Sequence, residues 1–99
     1  MPLRYTITFA ASAVEDIEGI RVWYDELDVP EVGERLVAEI VSVVERLGAF
    51  PRSGRVVPEF GIDGLREVIH PPFRIVYRLG EARVRVVRVW RSERLLKGP

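Results

Sequence analysis

The side chains able to do chemistry in this sequence are few and mostly of one kind. Its 99 residues include one His and no Cys. That excludes a thiolate nucleophile, a zinc–thiolate site and a cage of histidines around a metal. No cofactor and no metal are expected. Groups that could move a proton are His70, Glu67, Glu93 and Tyr77. Only His70 has an ordinary pKa near neutrality, and it precedes Pro71-Pro72 at a strand end, where it reads as a surface turn residue. Tyr77 alternates with Phe73 and Ile75 and reads as core. Glu59 and Glu67 read as ion-pair partners of nearby arginines. What remains is positive charge, and it is unevenly placed. Residues 1–49 carry four Arg against ten acids, net −6, and residues 50–99 carry ten Arg and one Lys against five acids, net +6, so the whole chain sums to zero. Arginine makes planar, bidentate contacts with phosphate and carboxylate and stacks on bases. Anion recognition is therefore the chemistry that the second half is equipped for.

The elements that must position these arginines follow from periodicity. Leu3, Tyr5, Ile7 and Phe9 alternate with polar residues, which predicts a strand over residues 3–9. Ser12-Ala13-Val14-Glu15 has the form of a capping box opening a helix. Ala13, Ile17, Ile20, Tyr24 and Leu27 then make one apolar stripe. Its acidic residues Glu15, Asp16, Glu18, Asp25 and Glu26 read as a solvated face. Pro30 is acceptable only in a first helical turn, so a second helix begins there. It carries Val32, Leu36, Ile40, Val43, Val44 and Leu47 and closes at Gly48. So short a connection forces the two helices antiparallel. Residues 50–64, with Pro51, Gly54, Pro58, Gly61 and Gly64, read as loop.

The rest is strand. Residues 65–69 form one run closed by Pro71-Pro72. Phe73, Ile75, Tyr77 and Leu79 alternate with Arg74, Val76 and Arg78 in a second. Gly80-Glu81 suits a two-residue hairpin loop, and residues 83–90 return. Apolar parity changes between Val86 and Val87, which predicts a bulge. The order β-α-α-β-β-β makes one α+β domain over residues 1–99, a helical hairpin packed on one face of a small antiparallel sheet. The opposite face should present Arg74 and Arg78. Two arginines two residues apart on one face repel unless an anion or an acid compensates. Met1-Pro2-Leu3-Arg4 has no apolar signal region and no apolar run reaches the roughly 18–20 residues that span a bilayer. A cytoplasmic protein without membrane contact is expected.

Four blocks in order resemble the RelE/ParE superfamily of toxins from type II toxin–antitoxin pairs. They are Ser53-Gly54-Arg55-Val56-Val57-Pro58-Glu59, Leu65-Arg66-Glu67, Arg74-Ile75-Val76-Tyr77-Arg78 and Val87-Arg88-Val89-Trp90-Arg91. The Gly-Arg-x-x-Pro-Glu block and the basic C-terminal end look closer to the ParE branch, whose members poison DNA gyrase. The RelE branch cuts mRNA on the ribosome without a metal. Arg91-Ser92-Glu93 echoes that branch, but Leu95 and Leu96 stand where a Tyr would be wanted. Cleavage by a 2′-hydroxyl needs a base, an acid and cations around the phosphorane. Under that alternative the resemblance makes Arg74 and Arg91 catalytic. Gyrase poisoning needs only a binding surface, to which Arg66, Arg74, Arg78, Arg91, Arg94 and Lys97 would contribute. A third alternative is a binding module that has lost its target activity.

The resemblance also implies a cognate antitoxin, acidic and folding on contact, in a hetero-oligomeric complex. Charge complementarity with the +6 half fits it, and a groove beside the helical hairpin would take an amphipathic helix. Trp23 and Trp90 are the candidate anchors. For Trp23, core packing beside Tyr24 is the other reading. Trp90, near a strand end, is expected to be partly exposed.

Overall fold

The computed structural model describes residues 4–91. Its elements are β1 (Thr6–Phe9), α1 (Ala11–Glu26), α2 (Pro30–Arg46), β2 (Arg55–Val56), β3 (Leu65–His70), β4 (Phe73–Gly80) and β5 (Arg83–Arg91). One five-stranded sheet has the order β1-β5-β4-β3-β2. The helical hairpin covers one face, as the sequence predicts. The sheet itself is mixed, because β1 runs parallel to β5, with Thr6 opposite Arg83 and Phe9 opposite Val86. Period-two patterning says which residues share a face but not which strands pair or in which direction, so this edge was out of its reach.

The helix-side core joins Ile17, Ile20, Leu36, Ile40, Val43, Val44 and Leu47 to Phe73, Ile75, Tyr77, Val84, Val86 and Val89. These are the stripe and alternation positions read above. Pro30 starts α2, where its missing N–H costs nothing. Gly33 lets the helices close. A Cβ there would lie 3.1 Å from the Tyr24 Cβ. A smaller cluster of Val57, Leu65 and Val76, with Val87 and Trp90 against it, packs on the other face.

Local details depart from expectation for physical reasons. The capping box does not form. Ala10 is the N-cap with no side-chain hydrogen bond, and the Ser12 hydroxyl instead donates to the Val87 carbonyl at 2.6 Å. Beyond Phe9 the β5 edge has lost β1 as its neighbour, so a hydroxyl on α1 satisfies a strand carbonyl there. The hairpin loop is Glu81-Ala82, one residue later than predicted. Gly80 pairs with Arg83 and Ala82 takes the positive φ of 54°. The predicted bulge is present: Tyr77 faces Val86, Val76 faces Arg88, and Val87 is the extra residue.

Residues 50–64 are more structured than a loop reading allows. They form a strap that crosses the β3 edge of the sheet. The buried Tyr77 hydroxyl donates to the Pro51 carbonyl at 2.7 Å and accepts from the Gly54 amide at 3.0 Å. Burial raises the Tyr77 pKa, so the hydroxyl keeps its proton. A Cβ at Gly54 would sit 2.5 Å from that hydroxyl and 2.6 Å from the Glu67 carbonyl. Tyr77→Phe leaves both strap groups unpaired and should cost about 1–3 kcal/mol. The check is urea unfolding, with the midpoint lowered and the m-value unchanged.

Candidate functional site

The strand register divides the sheet's arginines between its faces. Arg74 lies opposite Trp90 and Phe73 opposite Arg91. Adjacent residues on a strand point to opposite sides. Arg74, Val76 and Arg78 therefore share the helix-free face, and Arg91 lies on the helix side. The two arginines that the endoribonuclease alternative makes catalytic are held on opposite sides of the sheet.

Arg74 lies on the face expected of it but is buried there. Its side chain is 7 % exposed. Its Nη1 and Nη2 donate to the two Glu59 oxygens at 2.9 and 2.8 Å, a bidentate pair. Its Nε donates to Glu67 Oε1. Glu67 is fully buried and takes a second hydrogen bond from Arg55 Nε at 2.7 Å. The acids that compensate Arg74 are thus Glu59 and Glu67, in the ion-pair role expected of them. The Arg74 hydrogen bond holds the Glu59 carboxyl well below the usual range, at about 2. The same pairing raises the Arg74 pKa.

The other predicted residues occupy separate places. Arg66 is 12 % exposed, its Nη2 on Asp63 at 2.8 Å and its Nη1 on the Gly54 carbonyl at 3.0 Å, so it ties down the strap. Arg78 is exposed. His70 is half-buried rather than a free turn residue, with Nε2 3.0 Å from Glu39 Oε1 on α2. Glu93, Arg94 and Lys97 lie outside the described residues.

Trp23, Trp90 and Arg91 do come together. They line an open groove of about 960 Å³ between α1 and the end of β5, with Ile20, Tyr24 and Phe73. Trp23 is 53 % exposed, which corrects its reading as core, and Trp90 is half-buried as expected. Arg91 Nη2 donates to the Tyr24 hydroxyl at 2.8 Å. Its guanidinium carbon lies 5.9 Å from the Trp23 ring centre and 5.6 Å from that of Phe73. Periodicity did not reveal the ion pair that walls this groove. Asp16 accepts from Arg88 Nε at 2.8 Å and Nη2 at 2.9 Å, and from the Val89 amide at 2.8 Å. Asp16 is therefore not part of a merely solvated face. Its hydrogen bond raises the Arg88 pKa, and Arg88 stacks 4.7 Å over Trp90. The one available signal was the acid's place on the helix flank that faces a strand edge. Among the described residues no group of acids or His could hold a metal, and no helix is long and apolar enough to cross a membrane.

A family model described as "ParE toxin of type II toxin-antitoxin system, parDE" matches residues 7–96. Similar solved structures include a chromosomal ParDE toxin–antitoxin system from P. aeruginosa, with TM-score 0.75, 23% identity and coverage of 89% of this chain and 96% of that one. The RelBE2 toxin–antitoxin complex from Mycobacterium tuberculosis has TM-score 0.66 and 21% identity, covering 93% of this chain and 97% of that one. A conserved hypothetical protein from Helicobacter pylori has TM-score 0.55 and 13% identity, covering 90% and 96%. No curated protein sequence matches the chain.

Two predictions follow from the Arg74 network. Arg74→Met strands a buried carboxylate and should destabilise the fold by about 3–5 kcal/mol, whereas Arg78→Gln should change stability by less than about 0.5 kcal/mol. Thermal and urea unfolding distinguish them. The Glu59 carboxyl has a lower pKa folded than unfolded. Its contribution is complete above the unfolded value near 4.5 and is lost as pH falls through about 2. NMR titration should place its midpoint near 2, and Glu59→Gln should flatten the pH dependence of stability in that window.

Proposed function

Because the chain belongs to the ParE toxin family of type II toxin–antitoxin systems, we propose that it arrests bacterial growth in the cytoplasm by poisoning DNA gyrase and that a cognate antitoxin neutralises it. The observation that carries the non-enzymatic reading is the division of the cations. Arg74 is neutralised by two carboxylates on one face of the sheet, and Arg91 stands among aromatic rings on the other. Stabilising a phosphorane needs cations converging on one point, with an acid and a base beside them. Among the described residues that arrangement is missing, whereas a poison that acts by binding does not need it. This weighs against the ribonuclease alternative.

The groove supports the antitoxin. α1 leaves Trp23 exposed beside the groove, with Leu27 four residues on exposed at the helix end. Exposed apolar side chains beside an aromatic-lined groove suit an amphipathic segment. Arg91 and Arg88 on its rim suit acidic residues of that segment. Trp23 and Trp90 serve as anchors in this reading.

The test is a gyrase supercoiling assay with purified toxin, with and without antitoxin. Loss of supercoiling with accumulation of linear DNA, relieved by antitoxin, is expected. Unchanged supercoiling at excess folded toxin overturns the gyrase reading and sends the search to ribosome-dependent mRNA cleavage. Trp23→Ala should weaken antitoxin binding by at least 2 kcal/mol, the range of about 2–4 for an interface hot spot, as read by calorimetry. Because Trp23 is exposed, this variant should keep the wild-type melting temperature within a few degrees.

A further inference from the structure

The helix-free face holds a second cationic group, of which the ParE reading draws on Arg78 alone. Arg78, Arg83 and Arg85 are all exposed at the hairpin end of β4 and β5. Arg78 lies directly opposite Arg85, and Arg83 is two residues from Arg85 on the same strand face. Among the described residues none of the three makes an ion pair or a side-chain hydrogen bond, unlike Arg55, Arg66, Arg74 and Arg88. Glu81, the acid nearest in sequence, sits in the connecting turn and makes no ion pair among them either. Like charges directly opposite on a sheet are destabilising, so the fold keeps this cluster at a cost.

We propose that Arg78, Arg83 and Arg85 form a docking surface for the phosphate backbone of duplex DNA. Three observations select this occupant. The surface is cationic without apolar anchors, since no large exposed hydrophobic residue lies on β1, β4 or β5. An acidic segment that folds on contact needs such anchors, and they are gathered at the other end of β5. Arg83 and Arg91, eight residues apart on one strand, are separated by roughly 26 Å. The two surfaces can therefore be engaged together. Secondly, three arginines at neighbouring positions of one sheet face need closely spaced negative charge, and duplex DNA carries one charge per about 1.7 Å of axis. Thirdly, the flanking strand adds a hydroxyl of the kind that contacts phosphates. Thr6, exposed, is opposite Arg83, whereas the Thr8 hydroxyl opposite Arg85 is buried and takes no part.

The inference deepens the gyrase reading, because it would set the toxin against the DNA on which that enzyme works. Its test does not depend on gyrase. The full chain is titrated into a fluorescein-labelled duplex and anisotropy is followed at several salt concentrations. Three neutralised phosphates give a salt slope near −2.7, an affinity loss of about 40-fold between about 50 and 200 mM salt. The variant R78Q/R83Q/R85Q should lose at least tenfold in affinity at low salt and most of the slope, with a melting temperature unchanged or raised. R78K/R83K/R85K should restore most of both. R4Q/R35Q/R46Q removes the same charge elsewhere and should bind as the wild type does. Absence of wild-type binding, equal loss in the control variant, or tighter binding to a single-stranded RNA than to the duplex overturns the proposal. Retained duplex binding by the glutamine variant, with loss of antitoxin binding, overturns it in favour of a polypeptide partner. Duplex binding as stated, with gyrase unaffected, leaves this surface standing and removes the gyrase reading.

Discussion

The Arg74–Glu67 pair is the interaction on which the rest of this structure depends. Both side chains are almost wholly removed from water, so neither charge is tolerable without the other. Arg74 stands on β4 and Glu67 on β3, and the pair locks the register of those strands at their centre. Each partner then has a group left over. Arg74 spends its second edge on Glu59 and Glu67 its second oxygen on Arg55, and both of those residues belong to the strap. One buried pair therefore fixes the sheet and also the segment that wraps its edge. From the helix side, Tyr77 holds the start of the same strap through Pro51 and Gly54. The strap is gripped from both faces of the sheet, which explains how a segment rich in Gly and Pro is ordered without forming more than two residues of strand.

This gives the Ser53-Gly54-Arg55-Val56-Val57-Pro58-Glu59 block, one of those by which the chain resembles the superfamily, a structural reason to exist. Gly54 is required by the Tyr77 hydroxyl, Arg55 by Glu67, Val57 by the second core and Glu59 by Arg74. The block serves as a scaffold device. A polar motif in a loop invites a functional reading, but here Arg55 and Glu59, though exposed, are each engaged by a buried partner, Glu67 and Arg74.

The sequence made the elements legible because burial imposes periodicity on them. The stripes of α1 and α2, the alternation of β4 and the parity change at Val86 and Val87 are direct records of which side chains must leave water. What it did not record is pairing. The parallel β1–β5 edge, the two-residue β2 and the displaced hairpin turn depend on contacts between distant segments. Nothing at either position alone encodes them. The same limit applies to the site. Arg74 and Arg78 look equivalent in sequence, two residues apart with identical chemistry. One is neutralised by acids seven and fifteen positions away and the other is exposed. Arg91 shares their pattern too, but the extra residue at Val87 reverses the parity of all that follows and turns it to the helix side. Had β5 continued without the bulge, Arg91 would have joined Arg83 and Arg85 on the helix-free face.

That bulge thus divides the labour of one strand. Before it, β5 is flanked by β1, and its outward side chains are arginines on an open sheet face. After it, β1 has ended, α1 takes over the edge through Ser12 and Asp16, and Arg91 turns toward the helix into an aromatic groove. The two ends consequently differ in the ligand that each can hold. Guanidiniums that make no ion pair among the described residues, beside the exposed Thr6, offer charge with little to bury, which suits a phosphate chain that remains hydrated. Arg91 with Trp23, Tyr24 and Phe73 offers a large area to bury with charge at its rim, which suits a polypeptide that folds as it binds. A toxin must engage its target and also accept its antitoxin. A single strand with a parity change gives this small fold two chemically distinct surfaces without the need for a second domain.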